Sequence, residues 1–138
     1  MMKSILIDAG PIIALFDRDD RYHVRMLGFI KGKNYRFVTT TAVITEAMHM
    51  LDFNVNAQID LLKWIINGGV TLHCITSPDI VRVRELTEKY RDRPMDFADA
   101  TLVTAAERTG IREIVSVDSD FDIYRLPGEE HIQNVFMR

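Results

Sequence analysis

One cysteine, Cys74, is all that this chain of 138 residues carries. No internal disulfide can form, and a reducing, cytoplasmic setting suits it. Cys74 follows Val70, Leu72 and His73 in an apolar run, which predicts a buried thiol. Histidine is nearly as scarce. Residues 23, 49, 73 and 131 show no paired metal-ligand spacing, so a zinc site is not indicated and the four read as structural or surface residues. No apolar run approaches the roughly 20 residues of a membrane span. The first such run is too short for a signal peptide and is broken by Asp8. Repeats, low-complexity tracts and Pro/Gly-rich linkers are lacking too, so a single domain over 1–138 is expected. Nor is there a basic excess: 20 acids stand against 17 bases, for a net charge of −3. Taken alone, that speaks against nucleic-acid binding. The objection weakens if several acids gather around divalent cations, which reverse the local sign.

What the chain does have is an alternation of short apolar runs with longer helical patterns. At 47% hydrophobic and 27% charged residues, it has the composition of a folded domain and not of a disordered one. A strand over 4–7 ends at Asp8, and a short helix over 11–16 holds Pro11 in its first turn. A second helix opens near Asp20 and runs through Ile30. A strand over 36–39 leads to a helix capped by Thr40 or Thr41 and reaching about 53. Ile59, Leu62, Ile65 and Ile66 recur at helical spacing over 55–67, where Gly68-Gly69 stops the pattern. Then come a strand over 70–75, a helix from the Ser77-Pro78 cap to about 90, and a helix over 96–109 closed by Gly110. A strand over 113–117 precedes Asp118, and 132–136 reads as an edge strand. This order predicts a three-layer α/β/α sandwich around a mostly parallel sheet of four or five strands. Ligands in such folds sit beyond the carboxyl ends of the strands, where the winding reverses.

The acids fall at that edge. Asp8 ends the first strand and Asp118 ends the fourth; each could simply cap a turn, but the two share one edge. Glu46 lies among Val43, Ile44, Ala47 and Met50 on a helix that starts at the same edge, where a plain solvated glutamate is the alternative. Asp96 is a natural N-cap, and Asp99, three residues on, either answers the helix dipole or faces a site. Asp120 either caps a short helix over 121–124 or stands behind Asp118. Carboxylates converging on one pocket must find protons or cations. Oxygen-only ligands suit Mg²⁺ or Mn²⁺, and such ions favour phosphoryl chemistry at a phosphodiester.

Other acid-led folds fit less well. A haloacid-dehalogenase-type phosphatase needs a second aspartate two residues after the first, where this chain has Gly10. A response-regulator receiver needs an acidic pair near the first strand and a lysine after a late strand, and no suitable lysine appears. Asp8-Ala9-Gly10-Pro11 is not a dinucleotide-binding glycine fingerprint.

Four segments occur in the order and spacing of one family: Ile5-Leu6-Ile7-Asp8-Ala9-Gly10-Pro11, Glu46-Ala47, Met95-Asp96-Phe97-Ala98-Asp99-Ala100 and Val117-Asp118-Ser119-Asp120-Phe121. Over nearly its whole length the chain resembles the PIN-domain proteins, especially the stand-alone toxins of type II toxin–antitoxin pairs. The resemblance implies a Mg²⁺- or Mn²⁺-dependent endoribonuclease, with RNA as substrate, often a homodimer and often silenced by an antitoxin. It places central strands one and four side by side. Its core acids map onto Asp8, Glu46, Asp99 and Asp118, with Asp96 and Asp120 at positions less constantly acidic. The family often has Ser or Thr where this chain has Gly10, and favours Thr where it has Ser116. Arg18, Arg21, Arg25, Arg91 and Arg93 are candidates to hold the RNA backbone. A catalytically quiet PIN fold that binds RNA or protein is the rival reading.

Overall fold

The computed structural model describes residues 2–32, 34–93 and 95–137. Five parallel strands, β1 (Lys3–Ile7), β2 (Tyr35–Thr40), β3 (Val70–His73), β4 (Glu113–Val115) and β5 (Gln133–Asn134), form one sheet in the order β3-β2-β1-β4-β5. Ile5, Leu6 and Ile7 have no exposed surface. An apolar run without alternation suits a strand covered on both faces, and β1 is accordingly the middle strand. Its register sets Ile5 beside Phe37 of β2 and Ile7 beside Val115 of β4. From β1 the chain winds one way through β2 to β3 and then returns to the other side for β4 and β5. The reversal therefore lies between β1 and β4, and their carboxyl ends share one edge.

Among the described residues six α-helices flank this sheet: α1 (Ala9–Phe16), α2 (His23–Gly32), α3 (Thr41–Met50), α4 (Val55–Ile66), α5 (Ser77–Lys89) and α6 (Phe97–Thr109). None is long and apolar enough to cross a membrane. The three-layer α/β/α arrangement expected from the alternation is present. Helix α6 is the most deeply set: every residue from Ala98 to Ala106 is buried. Small side chains permit that depth, and its threonines bond back to the helix, Thr104 Oγ1 to the Ala100 carbonyl at 2.8 Å and Thr101 Oγ1 to that of Ala98 at 2.7 Å. Gly110 closes α6 at φ 80°, in the left-handed region where glycine meets no Cβ penalty.

Several boundaries differ from the sequence expectation. β3 stops at His73, and Cys74 beyond it is exposed. The buried-thiol expectation is thus wrong. β3 is an edge strand, with even Leu72 37% exposed, so an apolar run there does not imply full cover. β4 ends at Val115, because the Asn134 side chain accepts from the Ser116 amide at 3.3 Å in place of a ladder partner. β5 shrinks to two residues for the same reason: Asn134 also accepts from the Phe136 amide, at 3.1 Å. Helix α3 ends at Met50, short of 53. Thr76, and not Ser77, caps α5, with the Asp79 carboxylate accepting from the Thr76 amide at 2.9 Å and its hydroxyl at 3.0 Å.

Candidate active site

Asp8 leaves β1 and opens α1. Its amide still donates to the Val115 carbonyl of β4 at 3.0 Å, so the residue is fixed at the seam between the two central strands. One carboxylate oxygen accepts from the Ala9 amide at 2.8 Å, and the other from the Ser116 hydroxyl at 3.1 Å. The capping role and a place in the site are therefore not alternatives, because one carboxylate does both. The close seam also explains Gly10. A Cβ there would run into the Val117 side chain, so the larger residues common in the resembling family do not fit.

Asp96 caps α6 by accepting from the Asp99 amide at 2.8 Å. Asp99, one turn in, points a carboxylate that is only 7% exposed into the same region. Its Oδ2 accepts from the Tyr124 hydroxyl at 3.0 Å. Asp118 follows β4, its amide bonded to Ser116 Oγ at 3.3 Å and its Oδ1 accepting from the Asp120 amide at 3.0 Å. Asp120 begins a one-turn 3₁₀ helix, Asp120–Asp122, shorter than the expected 121–124. Glu46 comes from the second turn of α3.

One cleft of about 210 Å³ is lined by all six acids, Asp8, Glu46, Asp96, Asp99, Asp118 and Asp120, with Ala9, Gly10, Ile13, Met50 and Val117 completing its walls. It sits at the carboxyl edge, beside the reversal. A wider groove of about 560 Å³ shares Val117 and Asp118 with it and continues over Ser119, Asp122, Asn134 and Met137.

The electrostatics follow from crowding without counter-charge. Burial first, with repulsion from Asp118 and Glu46 added and the Ala9 and Ser116 bonds opposing, carries the Asp8 carboxyl from 3.8 up to about 7. Burial likewise raises Asp99 to about 8, with repulsion from Asp8 and Asp96 added and the Tyr124 hydroxyl opposing. Asp118 and Glu46 are raised too, each first by partial burial and then by neighbouring acids, chiefly Asp120 for Asp118 and Asp96 for Glu46. Among the described residues no ion pair reaches any of the six. Nor, among the described residues, do any three His, Cys, Asp or Glu side chains already stand close enough to hold a metal ion. The donors are nevertheless of one kind, carboxylate oxygens facing a common space with excess negative charge. That set fits a hard divalent cation, which the side chains would close upon.

Reading the sequence alone misses two side chains. Tyr124 holds Asp99, and Asn134 Nδ2 donates to the carbonyls of Ser116 and Asp118, at 3.1 and 3.3 Å, steadying the loop that carries Asp118. Of the basic candidates, Arg25 is committed to the Phe136 carbonyl and ring, and Arg21 lies over Tyr22. Arg18 is exposed in a separate hollow with Phe16 and Phe53. Arg91 and Arg93 are exposed in the segment before α6.

Comparison with known proteins places this geometry. The chain is 24% identical over 116 residues to a protein named Ribonuclease VapC26 from Mycobacterium tuberculosis, spanning 83% of this chain and 86% of that protein. It superposes with a TM-score of 0.79, at 20% identity, on the crystal structure of M. tuberculosis VapC20, described as a toxin that cleaves the sarcin–ricin loop; the match covers 86% of this chain and 93% of the other. At that identity the superposition speaks for the fold. The model of the PIN domain matches residues 5–126. That span contains every cleft acid, from Asp8 to Asp120, and the chain belongs to the PIN-domain family.

Proposed function

We propose that this chain is a Mg²⁺- or Mn²⁺-dependent endoribonuclease acting as the toxin of a toxin–antitoxin pair. The observation that carries the proposal is the cleft: six carboxylates on one cavity, two of them buried with raised proton affinity, and, among the described residues, no basic side chain paired to any. The relatives named as a ribonuclease and as a sarcin–ricin loop cleaving toxin support the same reading.

A cation bound in the cleft would supply an activated water for attack on the phosphodiester and would stabilise the leaving oxygen. Asp8, Asp99 and Asp118 would hold it from the ends of β1 and β4 and the first turn of α6, with Glu46 closing from the exposed lip. Asp96 and Asp120 would serve from behind, Asp96 with its carboxylate on the Asp99 amide and Asp120 with its own amide on the Asp118 carboxylate. The two hydrogen bonds on Asp8 fix the plane of its carboxylate before any ligand arrives. Asp8 and Asp99 must give up protons to hold a cation, so the site is primed only as the pH rises through their range. Arg91 and Arg93, exposed just ahead of α6, would hold the RNA backbone. A toxin also needs a protein partner. Val55, Ile59, Leu62 and Ile66 leave an exposed apolar stripe on α4 that suits an antitoxin, while a second copy of the chain would complete the homodimer.

The test is cleavage of a structured RNA by the purified protein, with Mn²⁺ or Mg²⁺ and with a chelator. Internal cleavage that the chelator and Asp99→Asn both abolish is expected. A folded protein that binds RNA yet cuts nothing with either metal overturns the proposal in favour of a quiet RNA-binding PIN fold.

A further inference from the structure

We infer that Tyr124 is a positioning residue whose hydroxyl sets the orientation of the Asp99 carboxylate toward the acid cleft. The inference rests on the cation-binding reading of that cleft. Tyr124 lies in the stretch after the Asp120–Asp122 turn and belongs to no helix or strand, yet it is only 4% exposed. Its ring is gripped from two sides. Phe121, fully buried, meets it edge-on at 5.4 Å, and Tyr90 meets it edge-on at 5.2 Å. The Tyr90 hydroxyl accepts from the Arg125 amide at 2.7 Å, which pins the backbone next to Tyr124. A ring so held has one free degree of expression, its hydroxyl, and that reaches Asp99 Oδ2 at 3.0 Å across 25 residues of sequence.

The geometry does more than satisfy a buried phenol. The terminal torsion of an aspartate is broad and roughly two-fold, so the Asp99 backbone alone does not decide how its oxygens face the cleft. With Oδ2 engaged by the phenol, the orientation is set and the other oxygen remains for a cation. The same bond ties the loop bearing Asp118 and Asp120 to the helix bearing Asp96 and Asp99. A phenol suits the task because it stays protonated, and so remains a donor, across the working pH range. Outer hydrogen-bond partners of metal-ligating side chains behave this way in general: losing one weakens metal affinity by roughly 10- to 100-fold.

Tyr124→Phe removes one oxygen and keeps both ring contacts. The measurements are the crystallographic orientation of Asp99 in the metal-free variant, the Mn²⁺ affinity by calorimetry, and kcat and KM for RNA cleavage. A turned Asp99 carboxylate, a Kd for Mn²⁺ raised about tenfold and a fall in kcat at nearly constant KM are expected. Tyr35→Phe strips a hydroxyl at the other end of the sheet, where Tyr35 begins β2 and stacks on Phe29, and should leave the Mn²⁺ Kd within about twofold of wild type. The inference is overturned if Tyr124→Phe keeps both the Asp99 orientation and the Mn²⁺ affinity, or if Tyr35→Phe loses as much affinity. Wild-type protein that binds no Mn²⁺ overturns the cation reading of the cleft instead, and the Asp99 orientation in the variant still decides the part played by Tyr124.

Discussion

Asp79 and Asp8 leave nearly the same small surface exposed, 3% and 5%, but Asp79 is covered thinly by its own cap and an arginine while Asp8 is set deep at the central seam, and their carboxyls move in opposite directions. Asp79 sits at the start of α5, where the Thr76 amide and then the Arg108 side chain, at 2.7 Å, hold it below the ordinary carboxylate range. Asp8 also accepts two hydrogen bonds, but no cation among the described residues answers it, and burial among other acids carries it up to about 7. On the α5–α6 flank charge is balanced, with Arg82 gripping Glu107 through Nε at 2.8 and 2.9 Å. At the strand edge charge is left unbalanced. The difference separates acids that stabilise the fold from acids held against their own repulsion, and it is on this ground that we propose the second group as the functional one.

Breaking the comparison at the cleft should have the largest effect. Asp8→Asn keeps the shape and the cap acceptor but removes a charge, and metal-dependent RNA cleavage should fall to background. Wild type should gain about 2.7 kcal/mol in thermal stability at roughly 100 times the Kd for Mn²⁺, and the variant should lose most of that gain. Melts of both proteins with and without metal check it. An unchanged metal response would return Asp8 to a capping role alone.

The second effect is the pH dependence of the metal-free protein. Asp8 and Asp99 have folded values above their unfolded one, so the folded state keeps protons that the unfolded chain releases above about pH 4. Stability should therefore fall as pH climbs from about 4 through 7 to 8 and then level off. Each tenfold change in proton affinity is about 1.4 kcal/mol, so the fall should be large enough to read directly from urea melts. Asp8→Asn should flatten part of the curve and be at least as stable as wild type at pH 8. Urea melts at pH 5 and 8 measure it, and a wild type more stable at pH 8 would remove the strain from the cleft.

The smallest effect belongs to the balanced side. Arg108 is half-exposed, so Arg108→Met should cost only about 1–2 kcal/mol at neutral pH. Because Asp79 is lowered, its contribution is present above the ordinary carboxylate range and lost as pH falls through its folded value, so the deficit of the variant should shrink below about pH 4. A deficit independent of pH would mean that packing of the arginine stem, and not its charge, carries the effect.

Most of the fold was legible because the signals were local. The run Ile5-Leu6-Ile7 before Asp8 announces a central strand and its end, and Asp96 with Asp99 announces a helix start. Five of the six acids lie at or just beyond such boundaries, and Glu46 lies one turn into a helix that starts at the same edge, which is why their convergence could be read without a structure. What escaped depends on contacts distant in sequence. Tyr124 reads as one more aromatic residue until α6 brings Asp99 to it. Asn134 reads as part of a strand, yet its side chain takes the amides that would have lengthened β4 and β5. Cys74 was misplaced because hydrophobicity along a strand does not reveal that the strand is at an edge.

The most direct measurement is calorimetric titration of Mn²⁺ into wild-type protein at pH 6 and at pH 8, in buffers of different ionisation enthalpy so that released protons are counted. Saturable binding is expected at both, tighter at pH 8 and with more protons released at pH 6, as Asp8 and Asp99 surrender theirs to the cation. Absence of saturable binding at pH 8, or binding with no proton release at pH 6, would contradict a cation site built on these two carboxylates.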